Sequence, residues 1–350
     1  MLCDYALLPE RVGGMDYFFW EFDKKCKENG IEVDWFFPNT ASHGNYTSMK
    51  IFDCNQDIEA RFLQTDFEEN EYDFVITHFL ELCTPFFYKI RKKADFKVIA
   101  VDHNPRPLNG YSFKKKLLKR IKGVLFSKYI TLFVGVSDYT KNEIIKDFGS
   151  HVANKTKVIY NGVLIDEILE RKNRNSVHPK FLVASHLRES KGIQDLIDAV
   201  AMLPKNIKDE IKIDIYGDGP YRCELEYQVT NLGLKRCFDF KGSSSTLKSI
   251  YCDYDYLIHP SYEETFCYSV IEALAANTTV ITTNEGGNVL KVISHLENGI
   301  LFKAKDIMQL KFLIEEVWTG NLKINKLTRL EIEKNFSLKQ MVNNYLYLIS

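Results

Sequence analysis

Along the second half of the chain, apolar runs of strand length alternate with longer segments whose apolar residues recur at helical spacing. The runs are residues 181–185, 211–216, 237–241, 256–260 and 279–283. The segments between them, such as 192–203 and 221–232, place apolar side chains three and four positions apart and end near Gly, Pro or Asn. That alternation predicts a parallel sheet covered by helices. The first half repeats the rhythm, with strands expected at 2–8, 31–37, 73–78, 97–102, 131–136 and 157–160. Between the halves, the segment containing RKNRNSVHP is polar and unperiodic, so residues 166–179 read as a linker. The expected fold is α/β, with two doubly wound, Rossmann-like domains at residues 1–165 and 180–330. Ligands of such sheets bind at the carboxyl ends of the strands, and two domains facing each other would place both sets of ends around one central cleft.

The richest stretch is HPSYEETFCYSVIEALAANTTVITT, beginning at His259. It reads as a strand over 256–260, a polar turn over 261–266 and a helix over 267–276, whose apolar face is Val270, Ile271 and Leu274. Glu264 then lies on the loop after the strand. The unpaired backbone amides of Phe266, Cys267 and Tyr268 open the helix and attract anions such as a diphosphate. Glu272 projects from the second helical turn, where a carboxylate can accept bonds from the vicinal hydroxyls of a ribose. Glu264 is left beside whatever the phosphate carries.

Composition narrows the classes of partner. With 350 residues, 45% of them hydrophobic, the chain can bury the cores of two ordinary domains. A formal net charge of -1 argues against wholesale nucleic-acid binding, which calls for a basic excess. The cysteines are scattered without a C-x-x-C pair and follow no leader pattern, so reduced thiols in the cytoplasm are expected. Residues 123–136, the longest apolar candidate, are interrupted by Lys128 and too short to span a bilayer.

Taken in order, several motifs resemble those of the retaining glycosyltransferases of family 4, which have the GT-B architecture. They are GVSDYTKNEI from Gly135, KVIYNGV from Lys157, SHLRESKGIQDLIDAV from Ser185, IYGDGP from Ile215, the Glu264 to Glu272 segment, EGGN from Glu285 and NGILF from Asn298. The resemblance implies transfer of a sugar, with retention, from a nucleotide-diphosphate donor such as a UDP-sugar to a glycan or lipid-linked acceptor hydroxyl, without a metal or other cofactor. The setting would be assembly of cell-surface polysaccharide or glycoconjugate. It assigns Lys191 to the leaving phosphate. The family's arginine five residues earlier is replaced by His186, with Arg188 two positions further on, and either or both can take its duty. Gly13 and Gly14 match an early glycine pair through which the backbone approaches the donor, and His103 matches a histidine that meets the donor sugar. Gly217 in GDGP reads as a turn near the base pocket. Asp253-Tyr254-Asp255 has the look of a D-x-D metal motif but leads straight into a strand, so no metal is expected there. Asn277 stands at a usual glycine, and Asn288 follows Gly286 and Gly287 where a glutamate is usual. In this architecture the last helix, here within residues 331–350, crosses back onto the first domain.

Residues 112–128 combine Lys114, Lys115, Lys116, Lys119, Arg120 and Lys122 with Phe113, Leu117, Leu118, Ile121 and Leu125. At helical spacing this is a basic amphipathic helix, suited to peripheral contact with an anionic membrane at the cytoplasmic face. Two other functions remain consistent with the sequence. The departures at His186 and after Gly287 allow a non-catalytic nucleotide-sugar-binding subunit, and the same architecture also hosts nucleotide-sugar epimerases.

Overall fold

The computed structural model describes residues 1–65, 72–107, 109–171, 178–284 and 292–350. It divides the chain into two compact units, Met1–Gly162 with Leu338–Ser350, and Val163–Ser337. The first unit is a seven-stranded parallel sheet in the order β3-β2-β1-β4-β5-β6-β7. Its strands are β1 Leu2–Cys3, β2 Asp34–Phe37, β3 Lys50–Asp53, β4 Phe74–His78, β5 Lys97–Asp102, β6 Leu132–Gly135 and β7 Thr156–Val158, with helices α1 Gly14–Glu28, α2 Ile58–Gln64, α3 Pro85–Lys93, α4 Phe113–Phe126 and α5 Asp138–Phe148.

The second unit is a six-stranded parallel sheet in the order β10-β9-β8-β11-β12-β13. Here the strands are β8 Phe181–Ala184, β9 Ile213–Tyr216, β10 Phe238–Gly242, β11 Tyr256–His259, β12 Thr279–Thr283 and β13 Gly299–Phe302. The helices are α6 Ile193–Ala201, α7 Lys205–Lys208, α8 Arg222–Asn231, α9 Leu247–Ile250, α10 Tyr268–Ala275, α11 Ile307–Thr319 and α12 Arg329–Phe336. Each sheet reverses its order beside its first strand, between β1 and β4 and between β8 and β11. Such a reversal opens a crevice at the carboxyl ends of the strands. Central strands such as β11 and β12 are buried along their whole length, because helices cover both faces of a parallel sheet.

Four departures from the expected elements have local causes. Only Leu2 and Cys3 of residues 2–8 join the sheet; beyond them Leu7 exchanges both backbone hydrogen bonds with the Asn39 side chain, at 2.9 and 3.0 Å, instead of with a strand. β3 is an edge strand of sequence KIFD with exposed ends and so carries little apolar signal, and β13, within the NGILF motif, is a further buried edge strand. The start of the expected linker is tied into the second unit. Arg329 donates to the carbonyls of Ile165 and Ile168, and Arg171 pairs with Asp255 at 2.7 Å. Residues 172–177 of that linker lie outside the described residues.

The carboxyl-terminal segment is two helices, divided at Ser337. α12 stays with the second unit, while α13, Leu338–Ile349, belongs to the first and packs on α1. Its anchor is Tyr345, fully buried against Phe18, Phe22 and His78 with ring centroids 4.9, 6.2 and 5.7 Å away. Replacing Tyr345 by Ala removes a large buried ring and is expected to destabilise the first unit by about 3 kcal/mol or more. A urea unfolding curve measures this as a lower midpoint. Tyr347→Ala, on the exposed side of the same helix, is expected to leave the midpoint unchanged.

Candidate active site

The crevice of the second unit is built by two loops that follow adjacent strands. After β8 the chain runs through Ser185 and His186 to Lys191, and after β11 through Pro260 to Glu264 before α10 begins. Gly192 makes their close approach possible. It has φ +67, and a Cβ there would stand 2.1 Å from the Pro260 carbonyl oxygen, so no side chain fits. The Tyr262 amide donates to the Ser190 carbonyl at 2.8 Å across the same seam. Lys191 thereby reaches Glu264, and the ammonium donates to Oε1 in an ion pair that leaves the two side chains 19% and 14% exposed. Gly217 plays the equivalent part between β8 and β9. At φ +123, its missing Cβ would lie 1.9 Å from the Ser185 carbonyl oxygen.

These loops and the start of α10 line a cavity of about 460 Å³. The structure brings together in it His186, Lys191, Gly217, Glu264, Phe266, Cys267, Tyr268 and Glu272. Arg188 is not among the lining residues; it is exposed and precedes the short turn that carries Lys191. Of the two candidates for the arginine duty, His186 alone faces the cavity. Burial and the neighbouring Arg188 charge push its imidazole below the ordinary range, so it enters the site as a neutral ring.

The wall also includes polar residues that sequence reasoning did not single out, among them His259, Tyr251 and Asp218. The signal for His259 was present, since it is a polar residue ending an otherwise apolar strand. Its Nε2 lies 3.2 Å from Glu264 Oε1 and 3.2 Å from Cys267 Sγ. Burial would depress this imidazole, but the Cys267 and Glu264 groups outweigh it and raise the pKa to about 9. Burial would likewise raise the Glu264 carboxyl, yet the His259 hydrogen bond and the Lys191 charge prevail and lower it to about 2. Glu264 is therefore an anion across the whole physiological range. Glu272 behaves oppositely. Burial raises it to about 7, because the opposing help from Lys248 and from the Tyr251 hydroxyl, 3.1 Å away, is weaker.

The amino end of α10 leaves backbone amides of its first turn without helical acceptors beside Lys191, so the crevice concentrates positive field where an anion would sit. At the other end of α10, Asn277 adopts φ +60, the left-handed conformation expected of that position. Its side-chain oxygen accepts from the amides of Thr328 and Arg329. Asp255 is held by Arg171 and by the Lys180 amide just before β11, while Asp253 is exposed. Residues 285–291, including Gly286, Gly287 and Asn288, lie outside the described residues.

The remaining candidates are in the first unit. Gly13 caps α1 with extended backbone, its amide donating to Asp16 at 2.9 Å, and Gly14 starts the helix. His103 is buried after β5, its Nε2 2.9 Å from His78 Nδ1 and its ring stacked on Phe79 at 4.0 Å. Burial lowers it to about 3, so this imidazole too is neutral.

Helix α4 departs from the ordinary amphipathic pattern. Gly123 is its buried residue, and a Cβ there would stand 2.2 Å from the Phe148 carbonyl oxygen, so α4 lies directly on the backbone of α5. Lys119 points the same way and pairs with Asp147 at 2.9 Å, while Lys122 pairs with Glu81 at 2.7 Å. The apolar side chains consequently face outward. Phe113 is 81% exposed, Val124 69%, and Leu117, Leu118, Ile121 and Leu125 about half. No helix among the described residues is long and apolar enough to cross a membrane.

Comparison with known proteins agrees with this construction. Residues 165–334 match the family model described as glycosyl transferases group 1, and residues 12–167 match that described as glycosyltransferase family 4. The chain is 30% identical over 320 residues to the uncharacterised glycosyltransferase MJ1178 of Methanocaldococcus jannaschii, covering 81% of this chain and 86% of that protein. Against MJ1607 of the same organism it is 33% identical over 182 residues, 48% of this chain and 45% of that protein, so the match spans under half of that relative's length. Among solved structures, Alr3699/HepE of Anabaena in complex with UDP superposes with a TM-score of 0.77 over 99% of this chain and 98% of its own, at 19% identity. Two doubly wound units, the crevice at Lys191 and Glu264, and these matches together place the chain in glycosyltransferase family 4, with the GT-B fold, and make it a glycosyltransferase.

Proposed function

We propose that this glycosyltransferase moves a sugar from a UDP-sugar to a hydroxyl of a glycan or lipid-linked acceptor, with retention at the anomeric carbon and without a metal, in assembly of cell-surface polysaccharide or glycoconjugate. The observation that carries the reading is the Lys191–Glu264 ion pair at the amide-rich start of α10, with Glu272 on the same cavity wall. A departing diphosphate gathers negative charge, and donors already aimed at it stabilise the transition state. Lys191 and the helix amides supply that field. When the diphosphate takes the ammonium, Glu264 is released to accept hydrogen bonds from the donor sugar's hydroxyls. Glu272 accepts from the ribose diol. The leaving phosphate then helps to deprotonate the acceptor on the same face of the sugar. The UDP in the Anabaena structure supports the choice of base.

The outward face of α4 suits the acceptor side. Its apolar stripe is flanked by Lys114, Lys116 and Arg120, a pairing of exposed apolar and basic groups that favours an anionic bilayer surface, where each nearby cation contributes about 1 kcal/mol. Lys119 and Lys122 contribute less than the sequence suggests, being engaged with Asp147 and Glu81.

Three outcomes are expected. Lys191→Ala and Glu264→Ala each lower turnover of UDP-sugar by about 10²-fold or more, whereas Glu272→Ala weakens UDP binding about tenfold, measured by donor hydrolysis and by calorimetry. Wild-type turnover in the Lys191 variant would sink the scheme.

UDP affinity should also depend on pH. Only ionised Glu272 can accept from both ribose hydroxyls, and its pKa is raised to about 7 by burial, opposed by Lys248 and Tyr251 and assisted by the Glu167 charge. Binding therefore weakens as pH falls below about 7, and Glu272→Gln flattens that limb of the profile.

On vesicles containing phosphatidylglycerol, wild type is expected to sediment at low salt. Replacing Lys114, Lys115, Lys116 and Arg120 by Gln should lower the vesicle affinity by about 10³-fold. Unchanged binding would remove the membrane reading while leaving the transferase reading intact.

A further inference from the structure

His259, Glu264 and Cys267 bring three ligand atoms of different chemistry, Nε2, Oε1 and Sγ, within 4.8 Å of one another. The hydrogen bonds around the imidazole decide which of its nitrogens faces the other two. The Thr282 hydroxyl donates to the His259 carbonyl at 2.9 Å, so toward Nδ1, 3.0 Å away, it can act only as an acceptor. The ring proton therefore sits on Nδ1. The neutral ring then aims the Nε2 lone pair at a carboxylate oxygen 3.2 Å away, an arrangement that needs a cation between the two. In the chain by itself a second ring proton fills that place.

A metal ion fills it equally well. With a zinc ion at ordinary bond lengths and tetrahedral angles, N and O ligand atoms stand about 3.3 Å apart and N and S about 3.5 Å. The observed separations from Nε2 are 3.2 Å to oxygen and 3.2 Å to sulfur, and that oxygen lies within 4.8 Å of the sulfur, so rotation of the Glu264 and Cys267 side chains toward a common centre admits the ion. The supporting contacts are those that a ligand set requires. Nδ1–H is held by Thr282, and Cys267, at the cap of α10, has the Ser269 hydroxyl 3.2 Å from its sulfur.

We propose that His259, Glu264 and Cys267 form a site for one divalent cation of the zinc class, and that its occupancy shuts the donor site. Imidazole and thiolate select zinc or cobalt over magnesium and calcium, which prefer oxygen ligands. Binding forms Zn–N, Zn–O and Zn–S bonds; the proton on Nε2 and that on the thiol leave to solvent. Three protein ligands leave a fourth position, open to the cavity, for water. The ion takes Glu264 Oε1 and places two positive charges beside the Lys191 ammonium, which is driven off its partner. The Lys191–Glu264 pair is thereby lost to the donor. This inhibitory half rests on the reading of that pair given above, whereas the binding half stands on the ligand geometry alone.

The test uses the full chain, stripped with EDTA, against a chromogenic zinc chelator. Wild type is expected to retain about one equivalent of zinc in the presence of excess magnesium, and Cys223→Ser, an exposed cysteine elsewhere, to retain the same. Cys267→Ser and His259→Gln are expected to lose it, with an affinity about tenfold lower or worse. Cobalt should give a thiolate charge-transfer band in wild type that is missing in Cys267→Ser. Retention of zinc by Cys267→Ser at wild-type affinity, or none by wild type, overturns the site. Zinc should also suppress donor hydrolysis at least tenfold, reversed by EDTA; full hydrolysis by the zinc-loaded chain overturns the inhibitory half. Failure to bind UDP in EDTA would count against the donor reading alone, since zinc retention is measured without nucleotide.

Discussion

The ion pair between Lys191 and Glu264 depends on a backbone approach that only glycine permits. Gly192 lies so close to the Pro260 carbonyl that the β8 loop and the β11 loop share one seam, and the two charged side chains meet at its end. A pair this shielded holds both groups in their charged forms and in fixed positions, and leaving either unpartnered would cost several kcal/mol. The site is therefore charged in advance. An anion entering beside α10 need only exchange one partner for another, and this limits the reorganisation required at the moment of reaction.

Around that pair, burial sorts otherwise similar groups into different roles. Glu264 and Glu272 line one cavity, yet His259 and Lys191 hold the first ionised while its surroundings push the second toward neutrality. Likewise partial burial and the Arg188 charge depress His186, and burial depresses His103, whereas His259, as enclosed as His103, is raised by the Cys267 and Glu264 groups on Nε2. The sequence spacing of the two glutamates says nothing of this difference. It arises from which partners the fold places within about 3 Å.

Much of the fold was legible because a parallel sheet buries its central strands on both faces. β4, β5, β11 and β12 read as continuous apolar runs and lie where the pattern put them. Edge strands escape that logic. β3 has exposed ends, so its pairing came from its neighbour and not from hydrophobicity. The helix over residues 113–126 was legible as a basic amphipathic helix. What faces its apolar stripe outward is the fit of Gly123 against α5, a contact that periodicity does not record.

The sequence by itself determined the α/β class, the strand-loop-helix unit that carries Glu264 and Glu272, and the resemblance that the family matches bear out, because these follow from local periodicity and from residue types at fixed spacing. Only the tertiary structure decided that His186 and not Arg188 faces the cavity, that His259 joins Glu264 and Cys267, and that the last helix packs on α1. Each depends on packing that sequence spacing alone does not define. Such contacts are set by the register of neighbouring strands and by where a missing Cβ lets two loops touch, and no one-dimensional pattern records either.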